Sequence, residues 1–343
     1  MSAGSASETI TLDRLDRQLM HALQFDGRVS FRLLAEILGS SEQTVARRYR
    51  RLRDAGIVRV MVLTAPARGQ YWIVRMQVVP GGAMKLARAL ARRADVSWVS
   101  IFSGGSEVTC VCRPRSVGQR DELLLDRLPE TELVTGLVSH ATLSQFAGGR
   151  VEREWAGYDD PLTGEQYAAL DAARQLPSVP FGTVVPDAVA REDAPLLAEL
   201  GRDGRASYAT LAAATGSSAA RVRRRLYELV SSGAAYLDVD LAIEALGFDV
   251  MASIWMTVAP SRLDEVGHRI AALPETAYVA AVTGPANLIA SVIARDTDGL
   301  YRYVTEQLGS LEGVERAEVA PVLRRVKQAG SVVTGARLPP PGE

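Results

Sequence analysis

Apolar residues recur at helical spacing near the start of the chain, with polar residues between them. Leu15, Leu19 and Leu23 are four residues apart, which predicts an amphipathic helix. Two further apolar stripes follow in residues 33–38 and 45–52, and a glycine lies between them. Serine residues stand in front of both stripes, where their hydroxyls can cap a helix. The pattern predicts three helices, the last two joined by a tight turn.

The same pattern occurs a second time 177 residues later in the chain. Residues 203–233 align with residues 26–56 without a gap, and 14 of the 31 positions are identical. This degree of self-similarity indicates an internal duplication. Weaker similarity continues downstream, where Gly104 stands opposite Gly284. Each copy therefore begins with a helical part and continues with a part of mixed character.

Both mixed parts predict the same order of strands and helices. Runs rich in β-branched residues predict four strands in each copy, and apolar residues at helical spacing predict two helices. In the first copy these are strand 71–80, helix 83–93, strands 96–102 and 108–113, helix 121–128 and strand 133–143. In the second copy they are strand 251–258, helix 263–273, strands 276–282 and 288–294, helix 300–308 and strand 314–323. The order β-α-β-β-α-β is that of a ferredoxin-like domain.

The predicted fold class is α+β, with two winged or helix-turn-helix domains alternating with two ferredoxin-like sensor domains. The predicted boundaries are 10–62 and 68–148 for the first copy, 149–190 for a linker, 191–241 and 247–328 for the second copy, and 329–343 for a flexible tail. The linker is rich in Pro, Gly and Asp. Thr163 and Gln166 have the spacing of a capping box, which predicts one short helix within it.

Positive charge is concentrated in the two helical parts. The formal net charge is −1, so the chain as a whole offers no basic field for nucleic acid. Residues 12–59, however, contain ten arginines against six acids, and residues 196–236 contain six arginines against three acids. Two helices joined by a short turn, the second polar and basic, are typical of a DNA-binding helix-turn-helix. A merely solvated arginine-rich face is the alternative interpretation.

The candidate DNA-contacting residues lie on and next to the last helix of each triplet. They are Ser41, Gln43, Thr44, Arg47, Arg48, Arg50 and Arg51 in the first copy, and Ser218, Arg221, Arg224 and Arg225 in the second. In the second copy Ala220 and Arg221 replace Gln43 and Thr44. The second helix therefore keeps charge that suits phosphates but lacks an amide that could read a base.

Other site classes receive little support from the sequence. Cys110 and Cys112 lie on one face of a predicted strand, and His21, His140 and His268 are scattered, so we expect no metal and no cofactor. The long apolar stretch 241–259 is interrupted by acids and is too short to span a bilayer, and the first residues lack a signal-peptide pattern. We expect a cytoplasmic protein without a membrane partner.

Several stretches together resemble the Lrp/AsnC family of bacterial transcription regulators. They are LDRLDRQLMHALQFDGRVS at 12–30, the basic helix and RRLRDAGIV at 50–58, TGPANLIASVIARDTDGLYRYV at 283–304, and LRRVKQ at 323–328. The resemblance covers two family units in one chain. It implies a helix-turn-helix that binds double-stranded DNA, and a ferredoxin-like domain that self-associates and binds an amino acid or a related small molecule. Because each such unit needs a partner for its sensor sheet, we expect the two copies to pair as a pseudo-dimer.

The resemblance also points to a turn between the second and third sensor strands as the effector site. The family's turn typically reads Thr-Gly-x-x-Asp. The second copy has Thr283, Gly284, Pro285, Ala286 and Asn287 there, and the first copy has Ser103, Gly104, Gly105 and Glu107. Glycine permits close approach, so main-chain N–H groups could hold a ligand carboxylate. Asn287 has no charge for an ammonium group, and an ordinary hairpin turn is the alternative interpretation at both places.

Two rival functions remain open at this point. One is a sensor or scaffold that no longer binds DNA. The other is an enzyme, since sirohaem decarboxylases share this domain order, but such an enzyme needs a positioned histidine and a basic cluster. His140 and His268 occupy unrelated positions in the two copies. We therefore expect a DNA-binding regulator and not an enzyme.

Overall fold

The computed structural model describes residues 11–66, 71–148, 155–177, 179 and 189–338. Its first three helices are α1 (Arg14–Phe25), α2 (Phe31–Ile37) and α3 (Glu42–Asp54). The second copy supplies α7 (Ala194–Arg202), α8 (Tyr208–Thr215) and α9 (Ala219–Ser231). Each triplet buries its apolar stripes, as the leucine spacing predicts. The core around the first triplet also includes residues of the linker and of the second copy, and the core around the second includes Val62 of the first copy.

The sensor domains have the strand and helix order that the sequence predicts. The first contains β2 (Trp72–Val78), α4 (Ala83–Ala91), β3 (Val96–Phe102), β4 (Glu107–Cys112), α5 (Val117–Asp121), which continues as a π-turn, and β5 (Val134–Ala147). The second contains β7 (Val250–Val258), α10 (Leu263–Ala271), β8 (Thr276–Val282), β9 (Leu288–Ala294), α11 (Thr297–Arg302) and β10 (Val314–Arg325). The α+β fold class is thus confirmed.

The two sensor sheets join into one closed eight-stranded barrel in the order β10-β3-β4-β2-β5-β8-β9-β7. The last strand of each copy makes the joints, because it pairs first with its own sheet and then with the other copy. Thus β5 leaves β2 and pairs with β8 from Thr142 onward, and β10 leaves β7 and pairs with β3 from Val322 onward. The expected pairing of the two copies within one chain is confirmed by these joints.

The strand after each helical triplet does not form a wing hairpin with its own domain. Instead β1 (Val58–Thr64) pairs antiparallel with β6 (Ala235–Leu241) as a two-stranded ribbon between the copies. Met61 pairs with Asp238, which is its own counterpart at the offset of 177 residues. The ribbon therefore lies on a pseudo-twofold axis that relates the two helical domains.

Two arginines reinforce this axis reciprocally. Arg28 donates to the carbonyls of Gly204 and Ala206, and its counterpart Arg205 donates to those of Gly27 and Val29. Arg205 also stacks on Phe31 at 4.5 Å, and Arg28 on the equivalent tyrosine at 4.9 Å. The two helical domains are therefore fixed to each other by the same interaction used twice, as in a symmetric dimer interface.

The linker packs on the first helical domain. Its helix α6 (Gly164–Ala172) begins with the predicted capping box, in which Thr163 accepts from the N–H of Gln166. Trp155, Tyr158 and Leu170 belong to the same core as α1 and α3. Residues 149–154, 178 and 180–188 of the predicted linker lie outside the described residues.

The chain after β10 corrects the expectation of a flexible tail from residue 329. The carboxylate of Asp240 accepts from the backbone N–H groups of Ala329, Gly330 and Ser331. Leu338 is buried and donates its N–H to the carbonyl of Gly56. Backbone donors satisfied by a buried carboxylate hold this segment on the ribbon, a long-range interaction that composition alone does not reveal. The predicted tail residues 339–343 lie outside the described residues.

Candidate nucleic-acid interface and effector turns

The first recognition helix, α3, starts as the caps predict. Gly39 has a φ of +64°, which reverses the chain after α2. The Ser41 hydroxyl then accepts from the N–H of Thr44 and closes the first turn of α3. Val45, Tyr49 and Leu52 are buried, so the opposite face of the helix is presented outward.

Part of the predicted DNA-contacting set is on this outward face. Gln43, Arg47 and Arg50 are exposed. Within the described residues, Arg47 has no ion pair, and the Arg50 guanidinium bonds only to the carbonyl of Ala46 in its own helix. These side chains keep their donors available for phosphates or base edges.

Arg48 and Arg51 both form ion pairs with α1, although 45% of the Arg51 side chain is exposed. The carboxylate of Asp16, which is fully buried in α1, accepts from both arginines. Arg48 also pairs with Asp13 at 2.7 Å, and only 23% of its side chain is exposed. Partial burial acts to raise the pKa of Asp13, but the hydrogen bond from the Asp16 N–H and then the Arg48 guanidinium outweigh it, so that the pKa of this carboxyl is lowered. Arg48, although predicted to contact DNA, therefore braces α3 against α1.

The second recognition helix, α9, repeats this arrangement. Ser218 caps it by accepting from the N–H of Arg221. Arg225, the counterpart of Arg48, makes a two-pronged ion pair with Asp193 at 2.8 and 2.6 Å. Arg225 is one of the predicted DNA-contacting residues, and in this ion pair its side chain is 32% exposed. Arg221 and Arg224 are exposed, and Arg224 approaches Glu228 at 3.5 Å.

The turn of the second sensor domain is already engaged within the chain. The Asn287 carboxamide donates to the carbonyl of Val258 at 2.7 Å and accepts from its N–H at 2.8 Å. The Thr283 hydroxyl accepts from the N–H of Ala141, and the Thr283 carbonyl lies 2.6 Å from Nδ1 of His140.

Gly284 has a φ of +108°, and a Cβ there would lie 2.7 Å from the His140 ring. Pro285 is exposed and Ala286 is half-buried.

The turn of the first sensor domain is engaged in a different way. Glu107 is buried and forms an ion pair with Arg75, and Gln77 donates to the same carboxylate at 3.0 Å. Ser103, Gly104 and Gly105 form an exposed turn in which all three residues have positive φ values. The Glu107 carboxylate is thus bonded to side chains of β2 and is not available to a ligand at the turn.

Comparison with known proteins identifies the units. The AsnC-type helix-turn-helix domain matches residues 12–53 and again 193–230, and the Lrp/AsnC ligand binding domain matches residues 251–332. An HTH-type transcriptional regulator of Pyrococcus furiosus, described as uncharacterized, is 33% identical over 125 residues, which are 35% of this chain and 84% of that protein. The chain belongs to the Lrp/AsnC family. The leucine-responsive regulatory protein of Rhizobium meliloti is 30% identical over 145 residues, 40% of this chain and 92% of its own length.

The whole chain also has a fold neighbour. The crystal structure of the siroheme decarboxylase NirDL covers 92% of this chain and 93% of its own, with a TM-score of 0.56 and 14% sequence identity. At this identity the likeness concerns the fold alone, in which two helix-turn-helix and two sensor units alternate.

Two further observations bear on the site class of this family member. Among the described residues, no three His, Cys, Asp or Glu side chains lie together as a metal site would require. None of the helices in the described ranges combines the length and the apolar character needed to cross a bilayer.

Sequence reasoning missed the arginines that act inside the molecule. Arg28 and Arg205 are identical in the two copies and lie in a predicted turn, which is a usable signal for a special role. Arg113 and Arg325 are deep in the barrel, and no spacing or repeat marks them in the sequence. Arg75 pairs across the barrel with Trp255, and that pairing depends on a closure that only the folded chain provides.

Proposed function

We propose that this Lrp/AsnC family member binds double-stranded DNA in the cytoplasm as a sequence-specific regulator, with α3 as the main base-reading helix. The observation that carries the proposal is the exposed set Gln43, Arg47 and Arg50, on a helix whose arginines Arg48 and Arg51 are paired with α1. The pseudo-twofold ribbon supports an operator of two imperfectly matched half-sites, read by α3 and α9. Association of whole chains through the sensor barrel is part of the proposal.

Arg47→Ala and Arg224→Ala form a matched pair that tests it. They remove counterparts at the same helix position, and Arg47 is the one without an ion pair among the described residues. We expect Arg47→Ala to weaken specific binding by about 1–3 kcal/mol if the side chain reaches a guanine, and Arg224→Ala to cost less. Fluorescence anisotropy with the chain's own upstream region, at several salt concentrations, measures both.

The salt dependence separates base reading from phosphate binding. If the arginine removed in either variant neutralises a phosphate, the slope of log K against log salt falls by about one and binding to all sequences weakens alike. Exposed Arg32, paired with Glu36, provides the control variant Arg32→Ala. Equal affinity of Arg47→Ala and the parent at every salt concentration would refute the proposed role of α3.

The proposed effector is a small carboxylated metabolite, and the predicted turns are one place for it. The side chains of Asn287 and Glu107 are engaged within the chain, so the main-chain N–H groups of Gly284 and Ala286 are what the second turn could offer. Gly284→Leu is a poor test because its side chain would meet His140. Pro285→Asp is sharper, since it places a negative charge at the exposed turn and should repel a carboxylate held there.

Decarboxylation is the second candidate function, favoured by the likeness of the whole fold to NirDL. We propose that this chain is not an enzyme of that kind. No histidine is among the described residues that line the barrel cavity, and the cavity measures about 240 Å³, below the roughly 300–1,000 Å³ typical of sites for drug-sized ligands. Absorbance spectra after addition of sirohaem would show a Soret shift if a tetrapyrrole binds, and that result would revive the enzymatic candidate.

A further inference from the structure

The closed barrel encloses a cavity of about 240 Å³ between the two sensor sheets. Strands of both copies form its wall, and the β6 segment of the ribbon between the helical domains covers one end. Apolar side chains, hydroxyls and aromatic rings are all represented. The wall includes Ile73, Val111, Ile289, Ser100, Thr109, Ser291, Tyr71, Tyr236, Tyr278, Trp98 and Trp155.

Two arginines bring positive charge into this cavity. Arg113 is 6% exposed, and its Nε and Nη1 atoms have no hydrogen-bond partner within the described residues. Its Nη2 atom makes long hydrogen bonds, 3.4 and 3.5 Å, to the carbonyls of Ala94 and Ala329, and the Tyr236 hydroxyl, which also lines the cavity, is a further partner of this guanidinium. Arg325 also lines the cavity, its Nε is unpartnered within the described part of the chain, and its guanidinium stacks 5.1 Å from the centre of the Trp98 ring. Buried guanidinium groups without acceptors are unfavourable unless something else supplies acceptors.

The opposing negative charge is smaller. Among the described residues that line the cavity, the acid is Asp238, and burial raises its pKa to about 7, so it is partly neutral at physiological pH. Asp240 lies two residues further along the ribbon but is bonded to the backbone N–H groups of residues 329–331. Lys327 lies close by with its Nζ donating to the carbonyl of Arg93, and burial lowers the pKa of its ammonium group to about 8. The charges facing the cavity therefore favour an anion.

The cavity is chemically polarised, although its wall is built from two related copies. Val78 pairs with Val134 and Val258 with Val314, so counterparts in the sensor domains are 180 residues apart. At this offset Ile293 is the counterpart of Arg113, and Gln145 is the counterpart of Arg325; both also line the cavity. Arg325 pairs with Ser100 in β3, and Arg113 follows β4, which neighbours β3. Both guanidinium groups thus belong to the β3–β4 side, and the opposite side is neutral.

The β3 strand is distorted where it meets the cavity. Its register with β4 shifts between Ser97 and Ser100, and Trp98 has a φ of +52°, a conformation that non-glycine residues rarely adopt. The Trp98 N–H donates to the carbonyl of Gln328, which holds the distortion in place. Strained backbone of this kind tends to occur where a side chain is positioned for a ligand. Here it places an aromatic ring against the Arg325 guanidinium.

We propose that the barrel cavity is a binding site for a small aromatic carboxylate without an ammonium group, whose carboxylate meets Arg113 and Arg325 and whose ring lies against the neutral side. The volume suits a ligand below drug size. Unpartnered guanidinium donors match carboxylate oxygens, and the aromatic wall suits a ring. This inference deepens the proposed function and depends on it only for the claim that the ligand is a regulatory effector.

The cavity also offers a route to the DNA-binding domains. Tyr236, Asp238 and Leu241 of β6 line it, and β6 pairs along its whole length with β1 at the pseudo-twofold axis. A ligand that fills the cavity contacts the element through which the two helical domains are joined. It changes DNA affinity only as far as it prefers one arrangement of that ribbon over another.

The test is a titration of the full-length chain with phenylpyruvate and with 4-hydroxybenzoate, without DNA, by calorimetry and tryptophan fluorescence. Trp98 and Trp155 line the cavity and provide the optical signal. We expect saturable binding of at least one of these acids, at least tenfold weaker binding of benzamide, which has a ring but no carboxylate, and weaker binding of phenylalanine than of phenylpyruvate. Failure of both acids to bind, or tighter binding of phenylalanine, overturns the proposal.

Matched variants locate the site. Arg113→Ile and Arg325→Gln install the residues that the other copy has at the same positions, and each should weaken binding of the acid at least tenfold. Arg325→Lys keeps the charge and should retain part of the affinity, which guards against a variant that fails to fold. Exposed Arg88→Gln on α4 should bind like the parent. Loss of binding in Pro285→Asp with normal binding in Arg113→Ile would place the ligand at the turn and overturn the proposal.

A separate DNA titration distinguishes the two proposals. If the acid binds and the chain binds no DNA, the regulatory function fails while the cavity site stands. If the chain binds DNA and none of the acids binds in the cavity, the cavity proposal fails alone.

Discussion

The two helix-turn-helix domains of this chain are copies that share one set of interactions and differ in another. Both keep the buried carboxylate that braces the recognition helix, Asp16 with Arg48 and Asp193 with Arg225. Both also use the arginine of their Asp-Gly-Arg turn to bind the other copy. These shared interactions are the ones that fix the shape of the domain and its place on the pseudo-twofold axis.

What differs is the support behind each domain and the surface in front of it. The first domain is backed by the linker: His21 accepts from the N–H of Leu162 at 3.1 Å and contacts the Tyr167 hydroxyl, and Arg17 pairs with Asp160 at 2.6 Å. At the offset of 177 the second domain has alanine at both positions, 198 and 194. In front, the first domain has Gln43, where the second has Ala220.

After duplication the two helix-turn-helix domains have therefore diverged both in the surface of their last helix and in the contacts that support them. The linker ties the first domain to the second sensor unit as well, because Trp155 packs edge-on against Phe248 at 5.0 Å. The domain that has Gln43 on its exposed helix face is thus also the one that packs on the linker. Rigid support of a reading helix limits the geometries in which it can meet DNA, which favours specificity over non-specific attachment.

The largest expected loss of stability comes from weakening the packing of the linker helix α6 on the first domain. Leu170 is 1% exposed in the core that α6 shares with α1, so Leu170→Ala should cost about 2–5 kcal/mol of the free energy of unfolding. Exposed Glu165→Ala in the same helix is the control and should stay within about 0.5 kcal/mol. Urea denaturation measures the cost, and hydrogen exchange should show weakened protection in α1–α3 before α7–α9. Equal weakening in both domains would contradict the specific support by the linker.

The next largest loss of stability should come from removing Asp16 or Asp193, the buried acids that hold the recognition helices, and the loss should differ between the two copies. Asp16 accepts from two arginines and from the N–H of Asp13, whereas Asp193 accepts from one arginine and the N–H of Ala190. Asp16→Ala should cost about 2–4 kcal/mol, less than a fully buried pair would because both arginines are partly exposed. Asp193→Ala should cost less. Thermal and urea unfolding measure both variants. If Asp193→Ala destabilises the protein as much as Asp16→Ala or more, the number of donors to each carboxylate does not determine its contribution to stability.

A pH dependence should distinguish the first domain from the second. Burial lowers the pKa of His21 from 6.5 to about 4, so the folded domain holds the neutral ring. The unfolded chain binds the proton more readily, and stability is complete above pH 6.5 and falls as the pH drops toward 4. The stability decreases by about 2–3 kcal/mol at the low end.

The comparison with His21→Asn isolates this effect. Asparagine can still accept from the Leu162 N–H but does not titrate, so the variant's stability should vary less with pH across the range in which His21 titrates. Burial also lowers the pKa of His140, which acts in the same direction in both proteins and cancels in the difference. Parallel stability profiles of parent and variant across this range would rule out His21 as the source.

Much of the fold follows from the sequence because it is local. The strands and helices are set by alternation and by caps such as Ser41 and Thr163, which act within a few residues. Closure of the barrel was beyond such reasoning. It depends on residues 142–147 and 322–325 crossing to the other sheet, and a period of two is the same whichever sheet a strand joins.

The site divides in the same way. The outward face of α3 follows from helical periodicity and the serine cap, so Gln43 and Arg47 could be placed in advance. The assignment of Arg48 to that face missed Asp16, an acid in a different helix 32 residues earlier whose proximity arises only from packing. The role of Arg113 and Arg325 is harder to predict from the sequence, because the cavity that they line is formed by strands of both copies.

The smallest expected effect tests whether α3 and α9 differ in base recognition because of the Gln43 side-chain amide. Ala220 is exposed at the position that Gln43 occupies in the first copy, so Ala220→Gln should transplant base reading into α9 at little cost in helix propensity. A glutamine that pairs with adenine should add up to about 1 kcal/mol of preference at one position of the second half-site. Selection from an operator library randomised in that half-site measures the preference. Ala220→Met supplies similar length without the amide, so identical selections from both variants would show that the readers differ by the neighbouring Arg221 or by their setting, and not by the amide.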